Sequence, residues 1–176
     1  TGEILVEKLL QLLDEDAFLD HVPSRRMMPV VLFVYGGGAG TFRTIDEAVG
    51  RGHSIIVVPQ SGRAAHAIHK WKQAPSSGSE QEKEQRLLTL FSEEEISSFT
   101  SAVRGGKTGL IGLLDDICSY SSLYFFELDS ETTSNDLLDL MVRSLIDSPA
   151  IDESVKVPLA LQYDATPAIR MLLARG

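Results

Sequence analysis

The sequence predicts an α/β fold in which a parallel sheet is covered by helices. Continuous apolar runs at about 29–35 and 54–59 have the composition of strands that are buried on both faces. Each run is followed by a small-residue turn and then by apolar residues at helical spacing. A strand–helix–strand–helix order of this kind forms a right-handed crossover between parallel strands.

The elements around this unit follow from apolar spacing and from residues that cap helices. Residues 3–14 form an amphipathic helical pattern ahead of the first strand. Thr41 or Thr44 is expected to cap the helix after that strand, and Ser61 is expected to begin the helix after the second strand. A third strand is expected at 123–128, where the chain is again apolar.

The second half of the chain is predicted to be mainly helical. Residues 74–86 have few apolar side chains and predict a surface loop or a disordered linker. Ser92 and Glu95 match a capping box that opens a helix, and Ser134 is expected to cap a later one. Helices are expected at 41–49, 61–71, 92–104, 110–117 and 134–146, with two short ones on either side of 164–167.

Length, charge and cysteine content restrict the class of protein. The chain has 176 residues, 43% of them apolar, which suits the buried core of one domain. Its net charge of −9 argues against a nucleic-acid-binding protein, although a cluster of backbone N–H groups can bind phosphate in an acidic protein. The single cysteine, Cys118, excludes an internal disulfide and favours a reducing compartment. No apolar run has the roughly 18 to 20 residues that a membrane helix needs.

The turn after the first strand predicts a site for a phosphate group. It reads Gly36-Gly37-Gly38-Ala39-Gly40-Thr41, which lacks the glycine spacing of the dinucleotide motif G-x-G-x-x-G. Residues 37–41 fit G-G-x-G-T, in which glycines allow close approach of the backbone. Backbone N–H groups and the Thr41 hydroxyl at a helix N-terminus would then face an anion. The alternative is a tight strand-to-helix turn without a ligand.

The turn after the second strand carries residues that suit the same ligand. The segment Ser61-Gly62-Arg63 is expected at the same edge of the parallel sheet as the glycine turn. Ser61 suits a helix N-cap, and the Arg63 guanidinium can bind phosphate through two hydrogen bonds. Arg63 can equally be a surface residue that pairs with a carboxylate.

Other candidate motifs do not support a nucleotide, metal or catalytic site. The segment Gly105-Gly106-Lys107-Thr108 follows a predicted helix, and Ser101 stands where a P-loop has its first glycine. His66 and His69 share a helix face, but no cysteine lies nearby and no carboxylate partner is evident on that face. The four histidines form no recognisable catalytic arrangement with serine, cysteine or aspartate.

Taken together, the motifs resemble those of the SLOG superfamily. The resemblance is carried by the G-G-x-G-T turn, the helix ending Glu47-Ala48-Val49, the following apolar strand, and Ser61-Gly62-Arg63-Ala64-Ala65. Within the superfamily, the chain resembles the eukaryotic branch found in the cytosolic N-terminal region of melastatin-type transient receptor potential (TRPM) channels.

This resemblance implies a Rossmann-like parallel sheet flanked by helices, whose first strands would lie upstream of Thr1. Residues 1–130 would be the C-terminal part of a SLOG-like nucleotide-binding domain, and 131–176 a helical segment that leads into helical repeats. The implied ligand is ADP-ribose or a related nucleotide, and no cofactor is required. The implied ligand-binding residues are Gly37, Gly38, Gly40, Thr41, Ser61, Gly62 and Arg63.

The resemblance also implies a place in a TRPM-like cation channel that conducts calcium. The segment would lie on the cytoplasmic side of a membrane without entering it. Its partners would be a nucleotide and the other subunits of a homo-oligomeric, tetrameric channel, and it would bind no nucleic acid.

The same superfamily offers an enzymatic alternative. Phosphoribohydrolases of the LOG type carry G-G-x-G-T-x-x-E, in which the glutamate acts at the ribose and the glycosidic bond. That position is Thr44 in this chain, and a hydroxyl without an activating base cannot replace a carboxylate. Glu47 shares the helix face but lies one turn farther on. The sequence therefore favours a nucleotide sensor over a nucleoside-monophosphate phosphoribohydrolase, and a degenerate pocket used only in channel assembly is the third interpretation.

Overall fold

The fold is seen in a computed structural model that describes residues 30–74, 78–129 and 132–163. Its strands are β1 (Val31–Tyr35), β2 (Ser54–Val58) and β3 (Leu123–Phe125). Its helices are α1 (Ala39–Gly50), α2 (Arg63–Gln73), α3 (Glu80–Leu90), α4 (Glu93–Thr100), α5 (Gly106–Ser119), α6 (Ser134–Asp147) and α7 (Glu153–Gln162). The helices predicted at 3–14 and after 164–167 lie outside the described residues.

The three strands form one parallel sheet in the order β1-β2-β3, which confirms the predicted α/β class. Phe33 of β1 pairs with Ile56 of β2, and Ile56 pairs with Tyr124 of β3. The connection from β1 to β2 is α1, as predicted, and the chain passes through α2 to α5 before β3. Because the strands are parallel, the turns after β1 and β2 lie at the same edge of the sheet, here called the carboxyl edge.

Helices cover both faces of the central strand. Ile55 and Val57 belong to the main core, which contains residues of α1, α2 and α5. Ile56 and Val58 point to the opposite face and share a second cluster with Phe126 and with residues of α6. All five residues of β2 are buried, which explains why its sequence is continuously apolar from Ile55 to Val58 rather than alternating.

Helix α6 joins the sheet to the last described helix. It packs with α7 in a small apolar cluster of its own. The buried Ser54 hydroxyl at the start of β2 donates a hydrogen bond to the Ser144 carbonyl of α6. Nearby, the Ser148 hydroxyl donates to the Gly52 carbonyl at 2.9 Å. The first helix of the segment predicted at 131–176 therefore packs directly on the sheet.

The prediction of a surface loop at 74–86 is wrong for residues 80–86, because α3 begins at Glu80. Ser79 and Glu82 form a capping box: each side chain accepts a hydrogen bond from the backbone N–H of the other. This box satisfies the first N–H groups of a helix that has few apolar residues. The spacing S-x-x-E was the sequence signal for this helix.

Charged side chains attach α3 to the rest of the core. The guanidinium carbon of Arg86 lies 3.9 Å from the centre of the Trp71 ring, and Arg86 also donates to the Trp71 carbonyl. Lys83 Nζ lies 2.8 Å from an Asp115 carboxylate oxygen of α5. The other oxygen of that carboxylate accepts a hydrogen bond from the Trp71 indole at 2.8 Å. These polar contacts add to the burial of Leu87, the one fully buried apolar side chain described on α3.

Two further helix starts test the sequence predictions. The capping box of Ser92 and Glu95 is confirmed, although α4 ends at Thr100 and not near 104. The N-cap of α6 is Thr133 and not Ser134, because the Thr133 hydroxyl accepts from the N–H three residues on. Among the strands, β3 ends at Phe125, three residues before the predicted end at 128.

Cys118 is a buried residue of the main core. Its Sγ lies 3.6 Å from the Ile68 carbonyl oxygen of α2. Burial raises the pKa of the Cys118 thiol to about 11, because the thiolate would lose its hydration. The thiol is therefore neutral at physiological pH and packs as a small apolar side chain.

Candidate functional site

The glycine turn bends sharply at the carboxyl edge of β1. Gly36 and Gly37 have φ values of 67° and 86°, in the left-handed region that glycine adopts without steric cost. A Cβ atom on Gly37 would also overlap the side chain of Thr41. The turn therefore requires glycine at position 37, and the Thr41 side chain packs against it.

Ser61 joins the turn after β2 to the glycine turn. The Gly36 N–H donates to Ser61 Oγ at 2.6 Å, and the Ser61 hydroxyl donates to the Val58 carbonyl at 2.5 Å. Ser61 ends a short 3-10 turn, Pro59–Ser61, and does not cap α2, so the predicted N-cap role is wrong. Its hydroxyl proton is used within the protein, and Ser61 acts by holding the two turns together.

The N-terminus of α2 is closed by the glycine turn. Its N-cap is Gly62, and no side chain caps it. Instead, the Ala64 N–H donates to the Gly37 carbonyl at 3.2 Å, and the Ala65 N–H donates to the Gly36 carbonyl at 3.0 Å. Helix N-termini bind anions through N–H groups that lack a partner. Because the N–H groups of Ala64 and Ala65 have partners, α2 offers little to an anion.

The N-terminus of α1 is open among the residues that the structure describes. Its N-cap is Gly38, with a φ of −110° and no side-chain hydrogen bond. The Thr41 N–H donates to the Gly38 carbonyl at 3.0 Å, but in the described part of the chain the N–H groups of Ala39 and Gly40 have no acceptor. Thr41 and Thr44 lie within the helix, so the predicted threonine caps are wrong. Helix α1 presents unpaired N–H groups and the positive end of its dipole to the carboxyl edge.

Arg63 extends from α2 to the open end of α1. Its φ of 52° is left-handed, which is rare for a residue with a side chain and strains the backbone. A Cβ atom on Gly38 would lie 3.6 Å from Arg63 Nη2, so the guanidinium lies beside the N-cap of α1. Among the ion pairs of the described residues none involves Arg63. Within the described residues the exposed Arg63 guanidinium therefore has no carboxylate partner.

A family model described as SLOG in TRPM, prokaryote, matches residues 4–103 of this chain. The match covers more than half of the sequence and includes β1, the glycine turn, β2 and Arg63. The chain belongs to this SLOG family. The resemblance seen in the motifs is confirmed at the level of the family, with a matching model that is described as prokaryotic rather than eukaryotic.

A mouse protein is also similar to this SLOG domain. Transient receptor potential cation channel subfamily M member 2 from Mus musculus is 34% identical over 73 residues. The aligned stretch is 42% of this chain and 5% of the mouse protein, so the similarity concerns a small part of that channel subunit. No helix within the described ranges is long and apolar enough to cross a membrane.

The SLOG domain brings the predicted ligand-binding residues to one edge of the sheet. They belong to the glycine turn, the first turn of α1 and the start of α2: Gly37, Gly38, Gly40, Thr41, Ser61, Gly62 and Arg63. Ser61 and Gly62 shape the backbone there, whereas the Arg63 guanidinium lies beside the first turn of α1. Ligand binding by these residues stays a prediction.

The position of the glutamate in LOG-type enzymes is occupied by a threonine with a local hydrogen bond. The exposed Thr44 hydroxyl donates to the Gly40 carbonyl at 3.4 Å. One turn farther along, Glu47 lies 3.4 Å from Arg43 in an exposed ion pair. The nearest acidic residue on this face is thus paired with an arginine of its own helix.

The histidines of α2 have a neighbour that the sequence did not reveal. His69 Nε2 lies 3.5 Å from a carboxylate oxygen of Glu127, just after β3, so the expected lack of a carboxylate partner is wrong. The same nitrogen lies 3.1 Å from the Gln73 amide nitrogen. Within the described residues, however, no group of three or more His, Cys, Asp or Glu side chains could hold a metal ion.

Two residues of the carboxyl edge were missed by sequence reasoning. Gly36 directly follows β1 and connects it to two other elements. Its N–H donates to Ser61 in the turn after β2, and its carbonyl accepts from the Ala65 N–H of α2. The run of three glycines was a signal for this role. Tyr35, the last residue of β1, is 68% exposed, although its strand was expected to be buried on both faces.

Proposed function

We propose that this SLOG domain is a regulatory module that binds a nucleotide of the ADP-ribose type through a phosphate group. The observation that carries the proposal is the position of the Arg63 guanidinium beside the open N-terminus of α1. The unpaired N–H groups and the helix dipole stabilise a negative charge there. An arginine adds charge-assisted hydrogen bonds to phosphate oxygens. Because α2 is closed by the glycine turn, we expect the phosphate at α1.

The proposal is for a sensor and not for a hydrolase. Cleavage of a glycosidic bond needs a carboxylate near the ribose, and the corresponding position holds Thr44. Glu47 is one turn away and paired with Arg43. These contacts support binding without turnover.

Strand β2 gives binding a route to the helices. Ser61 follows its carboxyl end, and Ser54 at its start donates a hydrogen bond to α6. A ligand that prefers one arrangement of the two turns also favours the arrangement of β2 and α6 that goes with it. In this proposal α6 and α7 transmit the change to the rest of the protein.

The similarity to the mouse channel subunit supports a wider context. We propose that the domain lies on the cytoplasmic side of a membrane, within a TRPM-like cation channel built from several copies of one subunit. Ion conduction, including that of calcium, would belong to a pore outside this chain. The domain would supply the nucleotide response.

Titration calorimetry with ADP-ribose on the full chain tests the binding site. Arg63→Ala is expected to weaken binding by at least about tenfold, because a charged hydrogen-bond donor to phosphate is lost. Arg43→Ala is the matched control: this arginine is also exposed and lies on α1, but it pairs with Glu47. Arg43→Ala is expected to leave the affinity unchanged.

The other outcomes separate the alternatives. Undetectable binding of ADP-ribose and of related nucleotides by the wild type would overturn the sensor and leave a structural role in assembly. Release of free base from a nucleoside monophosphate would establish the LOG-type hydrolase instead. Equal losses in the Arg63 and Arg43 variants would place the ligand elsewhere on α1.

A further inference from the structure

Tyr35 is a large aromatic side chain exposed beside the proposed phosphate site. It is the last residue of β1 and directly precedes the glycine turn. Its 68% exposure exceeds that of the other large apolar or aromatic side chains exposed in the described part of the chain, which reach 48%. Its ring takes part in no aromatic contact among the described residues. An unpaired aromatic ring of this size can stack against a planar group.

The sheet places Tyr35 on the opposite side of β1 from the main core. Side chains alternate along a strand, so Tyr35 shares a face with Phe33, while Val34 is buried in the main core. In the pairing of the strands, Tyr35 is level with Val58, the last residue of β2. Tyr35 therefore lies at the carboxyl edge, at the same level of the sheet as the turns that form the phosphate site.

Only the glycine turn separates Tyr35 from α1 along the chain. Gly36 and Gly37 separate Tyr35 from the N-cap Gly38, and none of the three carries a side chain. The left-handed conformations of Gly36 and Gly37 let the chain reverse direction over this short distance. Because α1 packs on the main-core face and Tyr35 lies on the other face, a ligand bound by its phosphate at α1 would have to pass over the carboxyl edge to contact the Tyr35 ring.

We propose that Tyr35 is the specificity-determining residue that stacks against the nucleobase of the ligand. The proposal rests on the proposed function, since it assumes a phosphate at α1. It deepens that function by giving the site a preference for base-containing nucleotides over sugar phosphates. Stacking on an aromatic side chain is tolerant of the particular base, so Tyr35 would require a base without selecting one.

Two probes test this role: ADP-ribose, which carries adenine, and ribose 5-phosphate, a single phosphorylated sugar that carries no base. Tyr35→Ala in the full chain is expected to weaken ADP-ribose binding by about tenfold, in line with the loss of one stacking contact. Ribose 5-phosphate binding is expected to stay the same. Tyr35→Phe keeps the ring and is expected to retain the wild-type affinity for both probes.

Phe33→Ala is the matched control for a general effect of the exposed face. Phe33 lies on the same face of β1, two residues farther from the carboxyl edge, and is 44% exposed. The Phe33→Ala substitution is expected to leave the affinities for ADP-ribose and for ribose 5-phosphate unchanged. The thermal midpoint of each variant shows whether Tyr35 instead packs against another part of the protein: a midpoint lowered by several degrees with unchanged affinity overturns the stacking role.

The failure of this inference differs from the failure of the proposed function. If Arg63→Ala loses ADP-ribose and Tyr35→Ala does not, the phosphate site stands and the stacking role is overturned. If Tyr35→Ala weakens both probes equally, the residue acts on the phosphate site and not on the base. If the wild type binds neither probe, both proposals fall.

Discussion

The helices α1 and α2 begin in the same way but differ in what satisfies their first N–H groups. Each follows a parallel strand, each has a glycine N-cap, and neither has a side-chain cap. In α2 the carbonyls of Gly36 and Gly37 accept the hydrogen bonds. In α1 the first N–H groups have no acceptor in the described part of the chain. One helix end is closed and its neighbour is open.

This difference between α1 and α2 arises from the glycine turn, whose carbonyl groups bind the first N–H groups of only one of the two helices. The turn, and not the helices, therefore determines where an anion can bind. The two left-handed glycines turn their carbonyls toward α2 and leave α1 uncovered. Elsewhere in the described chain, α3, α4 and α6 close their own N-termini with capping boxes. Four substitutions test this contrast, in decreasing order of their expected effect on the free energy of unfolding.

Gly37→Ala should have the largest effect. Alanine pays a steric penalty at a φ of 86°, and its Cβ atom would overlap the Thr41 side chain. We expect a loss of about 2–4 kcal/mol in chemical denaturation. Gly50→Ala, at the end of α1 where a Cβ meets open space, should be neutral or slightly stabilising. A loss below about 1 kcal/mol for Gly37→Ala would show that the turn relaxes freely.

Ser61→Ala should rank second. It removes the acceptor of the Gly36 N–H and the donor to the Val58 carbonyl, in a partly buried site. We expect a loss of about 1–3 kcal/mol in the free energy of unfolding. Ser98→Ala, on the exposed face of α4, is the control and should change stability by less than about 0.5 kcal/mol. Equal effects of the two variants would mean that Ser61 does not join the turns.

Arg63→Gly should separate stability from binding. Glycine relieves the left-handed strain at this position, so we expect a gain of about 0.5–1 kcal/mol relative to Arg63→Ala. Both variants should lose ADP-ribose in calorimetry, because both lack the guanidinium. If the glycine variant were the less stable of the two, position 63 would not be strained.

Gly38→Ala should have the smallest effect on stability. A φ of −110° suits alanine, and the new Cβ would meet Arg63 Nη2 at an ordinary contact distance of 3.6 Å. We expect a change within about 0.5 kcal/mol. The methyl group would nevertheless lie between the guanidinium and the open helix end, so ADP-ribose affinity should fall. An unchanged affinity would move the phosphate away from this gap.

The sequence predicted the elements that depend on local patterns. The apolar runs around Ile55 and Phe33 were sufficient for β1, β2 and their parallel order. The capping box at Ser92 was predicted because it is complete within four residues. The capping box at Ser79, equally local, was overlooked because its helix has few apolar residues.

The closure of α2 could not be predicted in the same way. The carbonyls that accept from Ala64 and Ala65 are more than 25 residues away in the sequence and belong to another turn. A serine before a helix usually caps it, but Ser61 instead binds Gly36 across the edge. The left-handed backbone of Arg63 is likewise imposed by the packed turns, since arginine has no preference for it.

The buried thiol in the core makes this protein well suited to site-specific labelling. Burial raises the pKa of the Cys118 thiol to about 11 and shields it from solvent, so both thiolate formation and reagent access are disfavoured in the folded state. A single cysteine introduced on the surface should therefore react much faster than Cys118. A fluorophore attached to α7 in this way could report whether its environment changes when a nucleotide is added. Such a probe would detect a conformational response to nucleotide in the isolated domain, without a measurement of ion current.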